Sequence, residues 1–143
     1  MERASLVIDT NIILAFLNEE KGRDLDSIEK TFNQIRNNIC SGFIASITIA
    51  EIFKFYFGLN FPRRAAEALE FLKEAGITIV SLDEDLSQKT GILKSKYKMS
   101  YADCIILATA IETNSSLITY DPDFSNITEI EILKPEEFLK KRK

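Results

Sequence analysis

Histidine is missing from all 143 positions of the chain. Its absence removes Ser-His-Asp and Cys-His nucleophile pairs, the HExxH zinc motif and every imidazole general base. Any chemistry must therefore rest on carboxylates, lysines, hydroxyls or a metal held by oxygen. Cysteine is scarce: Cys40 and Cys104 stand far apart, outside any paired metal spacing. Both read as reduced thiols packed as small hydrophobes. No uninterrupted apolar run approaches the ~20 residues that cross a bilayer. The start, Met1-Glu2-Arg3-Ala4-Ser5, has neither the basic region nor the apolar stretch of a signal peptide, so the expected location is the cytoplasm. Excess positive charge is lacking as well. A formal net charge of −4 excludes broad nonspecific attraction to nucleic acid, which comes from Lys and Arg neutralising phosphates, and leaves room for a local basic surface.

What remains is an ordinary globular balance, with 45% hydrophobic and 28% charged residues and neither low-complexity tracts nor internal repeats. The expectation is one domain over residues 1–143, with the terminal "KKRK" as a loose basic tail. Leu6 to Ile8 reads as a short buried strand, Asn11 to Asn18 as a helix, and Leu25 to Ile39 as a second helix from apolar residues at three- and four-residue steps. Phe43 to Ala45 predicts a second strand. "TIAEIFKFYFGLNF" follows it, with Thr48 and Glu51 in the spacing of a capping box before a very apolar helix. Pro62 and Gly76 bracket a helix over Arg63 to Ala75, and "ITIVS" (77–81) is a third strand. Asp83 to Tyr97 and Tyr101 to Thr113 read as helices, "SLITY" (116–120) and "IEIL" (130–133) as strands, and Glu136 to Lys140 as a last short helix. Alternating strands and helices predict an α/β fold: a mostly parallel central sheet of four to five strands, flanked by helices on both faces.

Such sheets place their sites where the carboxyl ends of strands meet the next turns and helix starts. Acids fall there. Asp9 follows the first strand, Glu51 opens the helix after the second, Asp103 sits in the first turn of the helix before "SLITY", and Asp121 follows that strand, with Asp123 two residues on. Singly, each has a structural explanation: Asp9 as a helix cap, Glu51 as half of the capping box, Asp103 beside Ser100 at a helix dipole, Asp121-Pro122-Asp123 as a turn. Gathered together, the same carboxylates would repel one another, and some would take up protons unless a cation sat among them. An all-oxygen ligand set points to Mg²⁺ or Mn²⁺, and such ions suit hydrolysis of a phosphodiester.

"VIDTN", "TIAE", "SYADCIILATA" and "LITYDPDF", in this order and in a chain of this length, resemble a PIN-domain ribonuclease, especially the VapC-type toxins of prokaryotic toxin–antitoxin pairs. The resemblance runs from residue 6 to residue 124. It implies a metal-dependent endoribonuclease in which Asp9, Glu51, Asp103 and Asp121 hold Mg²⁺ or Mn²⁺, with Asp123, Asn11 and Thr119 in support. It also implies a homodimer, and an antitoxin segment received near the apolar helix. The segment between Leu17 and Phe43 is longer than in the shortest toxins.

An acidic site needs basic residues to hold the substrate backbone. The candidates are Lys54, Arg63 and Arg64 around the apolar helix and Lys94, Lys96 and Lys98 just before Asp103, although any one of them can equally be solvated surface. Phe53, Phe55, Tyr56, Phe57 and Phe61 surround most of that helix, so about half are expected in the core and the rest at an interface. Three other readings remain: an RNA-processing nuclease outside any toxin–antitoxin pair, a noncatalytic binding module, and an aspartyl-phosphate phosphatase with Asp9 as nucleophile. Such phosphatases usually carry a second aspartate two residues on, where this chain has Asn11.

Overall fold

In the first strand, β1 (Ala4–Ile8), Leu6 and Ile8 enter one apolar cluster and Val7 another, as the two-residue side-chain period of an extended chain requires. A strand buried on both faces must lie at the centre of a sheet covered on both sides. β1 does: it pairs in parallel with β2 (Cys40–Ala45) and with β4 (Ser116–Ile118), while β3 (Thr78–Val80) and β5 (Ile132–Leu133) form the parallel edges, in the order β3-β2-β1-β4-β5. The computed structural model describes residues 3–142.

On the Leu6/Ile8 face lie α1 (Thr10–Leu17), α2 (Leu25–Arg36), α3 (Ser46–Gly58), α4 (Pro62–Glu74) and α7 (Pro135–Lys141). Phe32 of α2 ties this layer together, its ring 5.6 Å from Phe16 of α1 and 5.3 Å from Phe71 of α4. The Val7 face is covered by α5 (Glu84–Lys96) and α6 (Tyr101–Glu112). α6 buries every residue from Cys104 to Ala110, so its central turns are enclosed on every side. Cys40 and Cys104 are both free and buried.

Several boundaries differ from the sequence reading, each for a local reason. β1 and β2 begin earlier, at Ala4 and Cys40, because these residues complete the parallel register Ala4–Cys40 through Val7–Phe43. α2 stops at Arg36 rather than Ile39, since Asn38 takes a left-handed conformation (φ 60°) that ends a helix. β4 ends at Ile118, so Thr119 and Tyr120 lie beyond the strand. The capping box at Thr48 and Glu51 does not form: α3 starts at Ser46, its cap Ala45 makes no side-chain bond, and both residues turn to Thr10 instead. Lys140 and Lys141 of the expected tail belong to α7, and Lys143 lies outside the described residues.

Gly42 marks the tightest point under the sheet. A Cβ there would stand 2.6 Å and 2.9 Å from two atoms of Ile35 and 2.8 Å from Ile77, all buried side chains. Overpacking of this kind destabilises by roughly 1–3 kcal/mol. Gly42→Ala should therefore lower the denaturant midpoint with the slope unchanged, and an unchanged midpoint would show that Ile35 and Ile77 yield freely.

Candidate metal centre

The strand order reverses between β1 and β4. The chain works outward from β1 through β2 to β3, then returns to the other side. At such a switch point the loops leaving two adjacent strands diverge and open a crevice beyond their carboxyl ends. Asp9 is the first residue after β1, its backbone N–H still bonded to Ile118 of β4 at 3.0 Å, and Asp121 follows β4 by three positions.

Asp9 is 4% exposed, and everything near it works to fix its carboxylate. Oδ1 accepts the Thr10 N–H at 2.8 Å. Oδ2 accepts the Thr119 hydroxyl at 2.7 Å and the Asn11 amide at 3.1 Å. Thr119 in turn accepts the Asp121 N–H at 2.9 Å, and Asn11 Oδ1 accepts the Tyr120 N–H at 3.3 Å. The start of α1 and the loop after β4 are thus bound to each other through one carboxylate. On the opposite wall Glu51 of α3 accepts the Thr10 hydroxyl at 2.6 Å, and that hydroxyl lies 3.1 Å from Thr48. Thr10 and Thr48 are the positioning residues that sequence reasoning missed. The available signals were adjacency to Asp9 and the three-residue step to Glu51, which brings side chains to one helix face.

Asp103 comes from the other layer. Ser100 caps α6 by accepting the Asp103 N–H at 3.1 Å, and the Asp103 side chain lines the crevice. Asp121 caps the 3₁₀ turn Pro122–Phe124 through Asp123 N–H at 2.9 Å. The structural roles read for Asp9, Asp103 and Asp121 are therefore real, and they coexist with convergence. One carboxylate oxygen each from Asp103, Asp121 and Asp123 lies within 4.8 Å of the others. Asp9, Glu51, Asp103 and Asp121 line a single open cavity of about 450 Å³, together with Asn11, Lys54, Leu14 and Phe55.

The electrostatic consequence is a raised affinity for protons. Burial pushes the Asp9 carboxyl up to about 6 against the pull of its bonds from Thr119 and Thr10, and Asp103 and Glu51 add repulsion. Burial also lifts Asp103 to about 6, with Asp121 the strongest repelling neighbour and Ser100 the counterweight. Among the described residues, no Lys or Arg nitrogen comes within 4.0 Å of any of these acids. Uncompensated carboxylates at this spacing call for a cation.

The sequence model of the PIN domain matches residues 6–130. The chain belongs to the PIN domain family. Nothing among curated protein sequences matches it, whereas several solved structures share its fold. A chain of VapBC2 from Rickettsia felis, crystallised on a promoter DNA fragment, superposes with a TM-score of 0.75 at 20% identity, covering 91% of this chain and 98% of that one. A chain of DNA-bound VapBC from Salmonella typhimurium gives 0.73 at 19% identity, covering 92% and 98%. VapC20 of Mycobacterium tuberculosis, described as a toxin cleaving the sarcin–ricin loop, gives 0.69 at 14% identity, covering 87% and 98%.

Of the six basic residues named from the sequence, this PIN domain brings only Lys54 to the wall of the acidic cavity. Arg63 is exposed on α4. Arg64 stacks over Phe61 at 5.0 Å and lines a different cavity beside Tyr56. Lys94 donates to the Met99 carbonyl at 2.7 Å, and Lys96 pairs with Glu129 at 3.0 Å. Lys98 is exposed. Of the five aromatics around α3, Tyr56 is buried and Phe53 half-buried, whereas Phe55, Phe57 and Phe61 are exposed.

Proposed function

We propose that this PIN domain is a Mg²⁺- or Mn²⁺-dependent endoribonuclease and the toxin of a toxin–antitoxin pair. The observation that carries the nuclease reading is the gathering of Asp9, Glu51, Asp103 and Asp121 around one crevice where, among the described residues, no Lys or Arg nitrogen lies within 4.0 Å of any of them. The donor set fits a hard divalent ion: the acids offer carboxylate oxygens, and one each from Asp103, Asp121 and Asp123 already lie within 4.8 Å of one another. A bound divalent ion supplies charge neutralisation at a phosphodiester and a lower pKa for water.

The chain's own residues set up that chemistry. Thr119, Asn11 and the Thr10 N–H hold Asp9 in one orientation, the service that outer hydrogen-bonding partners give a metal ligand. Thr10 does the same for Glu51. Asp123, exposed at the mouth, is placed to accept a hydrogen bond from an entering water. Lys54 offers a positive charge to the RNA backbone on the same wall. The phosphatase alternative weakens here, because the Asn11 amide is committed to Asp9 and the Tyr120 N–H and carries no acidic proton.

The toxin reading, and with it a cognate antitoxin and a cytoplasmic setting, is supported by likeness to chains from VapBC complexes. Exposed Phe57, Leu59 and Phe61 at the end of α3 and the start of α4 support burial in a homodimer. A small DNA-binding protein encoded beside this chain would favour the toxin over an RNA-processing enzyme. Purified protein incubated with total RNA should generate new transcript ends in Mg²⁺ or Mn²⁺ and none in EDTA. Cleavage that persists in EDTA would reject the metal-dependent mechanism.

A further inference from the structure

The cavity floored by acids has one apolar wall. Phe55 lies four residues after Glu51 on α3, one turn along the same helix face, and it lines the same cavity as the carboxylates, with Leu14 of α1 nearby. Its ring meets Tyr56 edge-on at 5.1 Å, so the ring is braced from inside, yet 38% of the residue stays exposed. An exposed aromatic in an open acidic crevice contributes little to folding. The adjoining Lys54 points to a ligand that combines negative charge with an aromatic face.

We infer that Phe55 is a stacking platform for an unpaired nucleobase of the RNA, next to the cleaved phosphate. The inference rests on the nuclease reading of the acid site and adds a residue that governs substrate binding there. A base within a duplex is stacked on its neighbours and has no free face to offer the ring, whereas a loop or single strand can splay a base onto an aromatic side chain. Lys54 supplies the phosphate contact on the same wall. Stacking is tolerant of base identity and worth enough per base to dominate local affinity, so Phe55 acts on substrate binding while the carboxylates act on the chemistry.

The test uses a pool of randomised single-stranded oligoribonucleotides carrying 2-aminopurine, and the same pool annealed to complementary strands. With wild-type protein in Mn²⁺, the single-stranded pool should be cut and the duplex pool spared. Phe55→Ala should raise KM roughly tenfold with kcat nearly unchanged. Phe55→Trp should restore KM, and Phe55→Leu, equally apolar but unable to stack, should not. Quenching of 2-aminopurine on binding in EDTA should follow the same order across the variants.

Equal KM for Phe55→Leu and Phe55→Trp, or equal cutting of duplex and single strands, would overturn the platform while leaving the nuclease intact. Quenching that depends on an aromatic at position 55, without cutting in any divalent metal, would uphold the platform and reject the nuclease. Neither quenching nor cutting would reject both, and would return Phe55 to the role of a protein contact.

Discussion

Asp103→Asn should abolish RNA cleavage and at the same time make the metal-free protein more stable. The two effects come from one carboxylate. In the proposed nuclease Asp103 is one of three side chains whose oxygens lie within 4.8 Å of each other, and weakening a metal site forfeits several kcal/mol of transition-state stabilisation. At about 1.4 kcal/mol per factor of ten, the loss is roughly a thousandfold or more. Without metal, the same carboxylate is a liability. Burial and the neighbouring Asp121, Glu51 and Asp123 all disfavour its charge. The amide keeps the size and removes the repulsion, and the Ser100 cap survives because it binds the Asp103 backbone N–H. Since Asp103 is only half-buried, solvent screening limits the gain to on the order of 1 kcal/mol. Denaturant unfolding in EDTA and end-mapping in Mn²⁺ read the two effects separately. A variant that is both inactive and less stable would point to a folding role for Asp103.

Stability of the metal-free protein should fall as pH rises from about 4.5 to 6, the reverse of ordinary acid denaturation. The Asp9 carboxyl titrates at about 6 in the fold against an ordinary 3.8. Between those values the folded state binds more protons than the unfolded chain, so raising pH favours unfolding. A displacement of about two pH units corresponds to about 3 kcal/mol for this nearly buried group, and Asp103 adds to it with the same sign. Glu129 acts oppositely, pulled down to about 2 by Tyr97 and Lys96, and its window closes below pH 4.5. Saturating Mn²⁺ should invert the profile, because a metal competes with protons for the same oxygens. Chemical unfolding across this range, with and without Mn²⁺, checks both slopes. A metal-free profile that rises through pH 5 would mean that the acids are solvated and apart.

Much of this was legible in the residues themselves. "LVIDTN" ends on a carboxylate because its apolar half completes the strand at the centre of the sheet, and Asp9 then sits at the switch point beside β4, held by Thr119 and Asn11. That answer needed only the alternation of strands with helices and the position of each acid relative to them. Glu51 was found by its place after a strand, whereas its structural reading failed: local spacing suggested a capping box, and a tertiary partner, Thr10, captured the carboxylate instead. The basic residues were the least legible. A lysine's neighbours along the chain do not reveal whether a carbonyl or carboxylate waits across the fold, as Met99 does for Lys94 and Glu129 for Lys96. Phe55 was visible only as one of five aromatics on α3 and just after it. Its separation from buried Tyr56 depends on which helix face meets α1 and α4, a matter of packing geometry.

Calorimetric titration of Mn²⁺ into the metal-free protein at pH 6, where Asp9 and Asp103 are about half protonated, tests the central claim most directly, since it asks only whether the gathered carboxylates hold a divalent ion. Wild-type protein should take up Mn²⁺ saturably and release protons as it does so, and Asp103→Asn should bind at least roughly tenfold more weakly. Folded wild-type protein that shows no saturable uptake of either Mn²⁺ or Mg²⁺ would contradict the account.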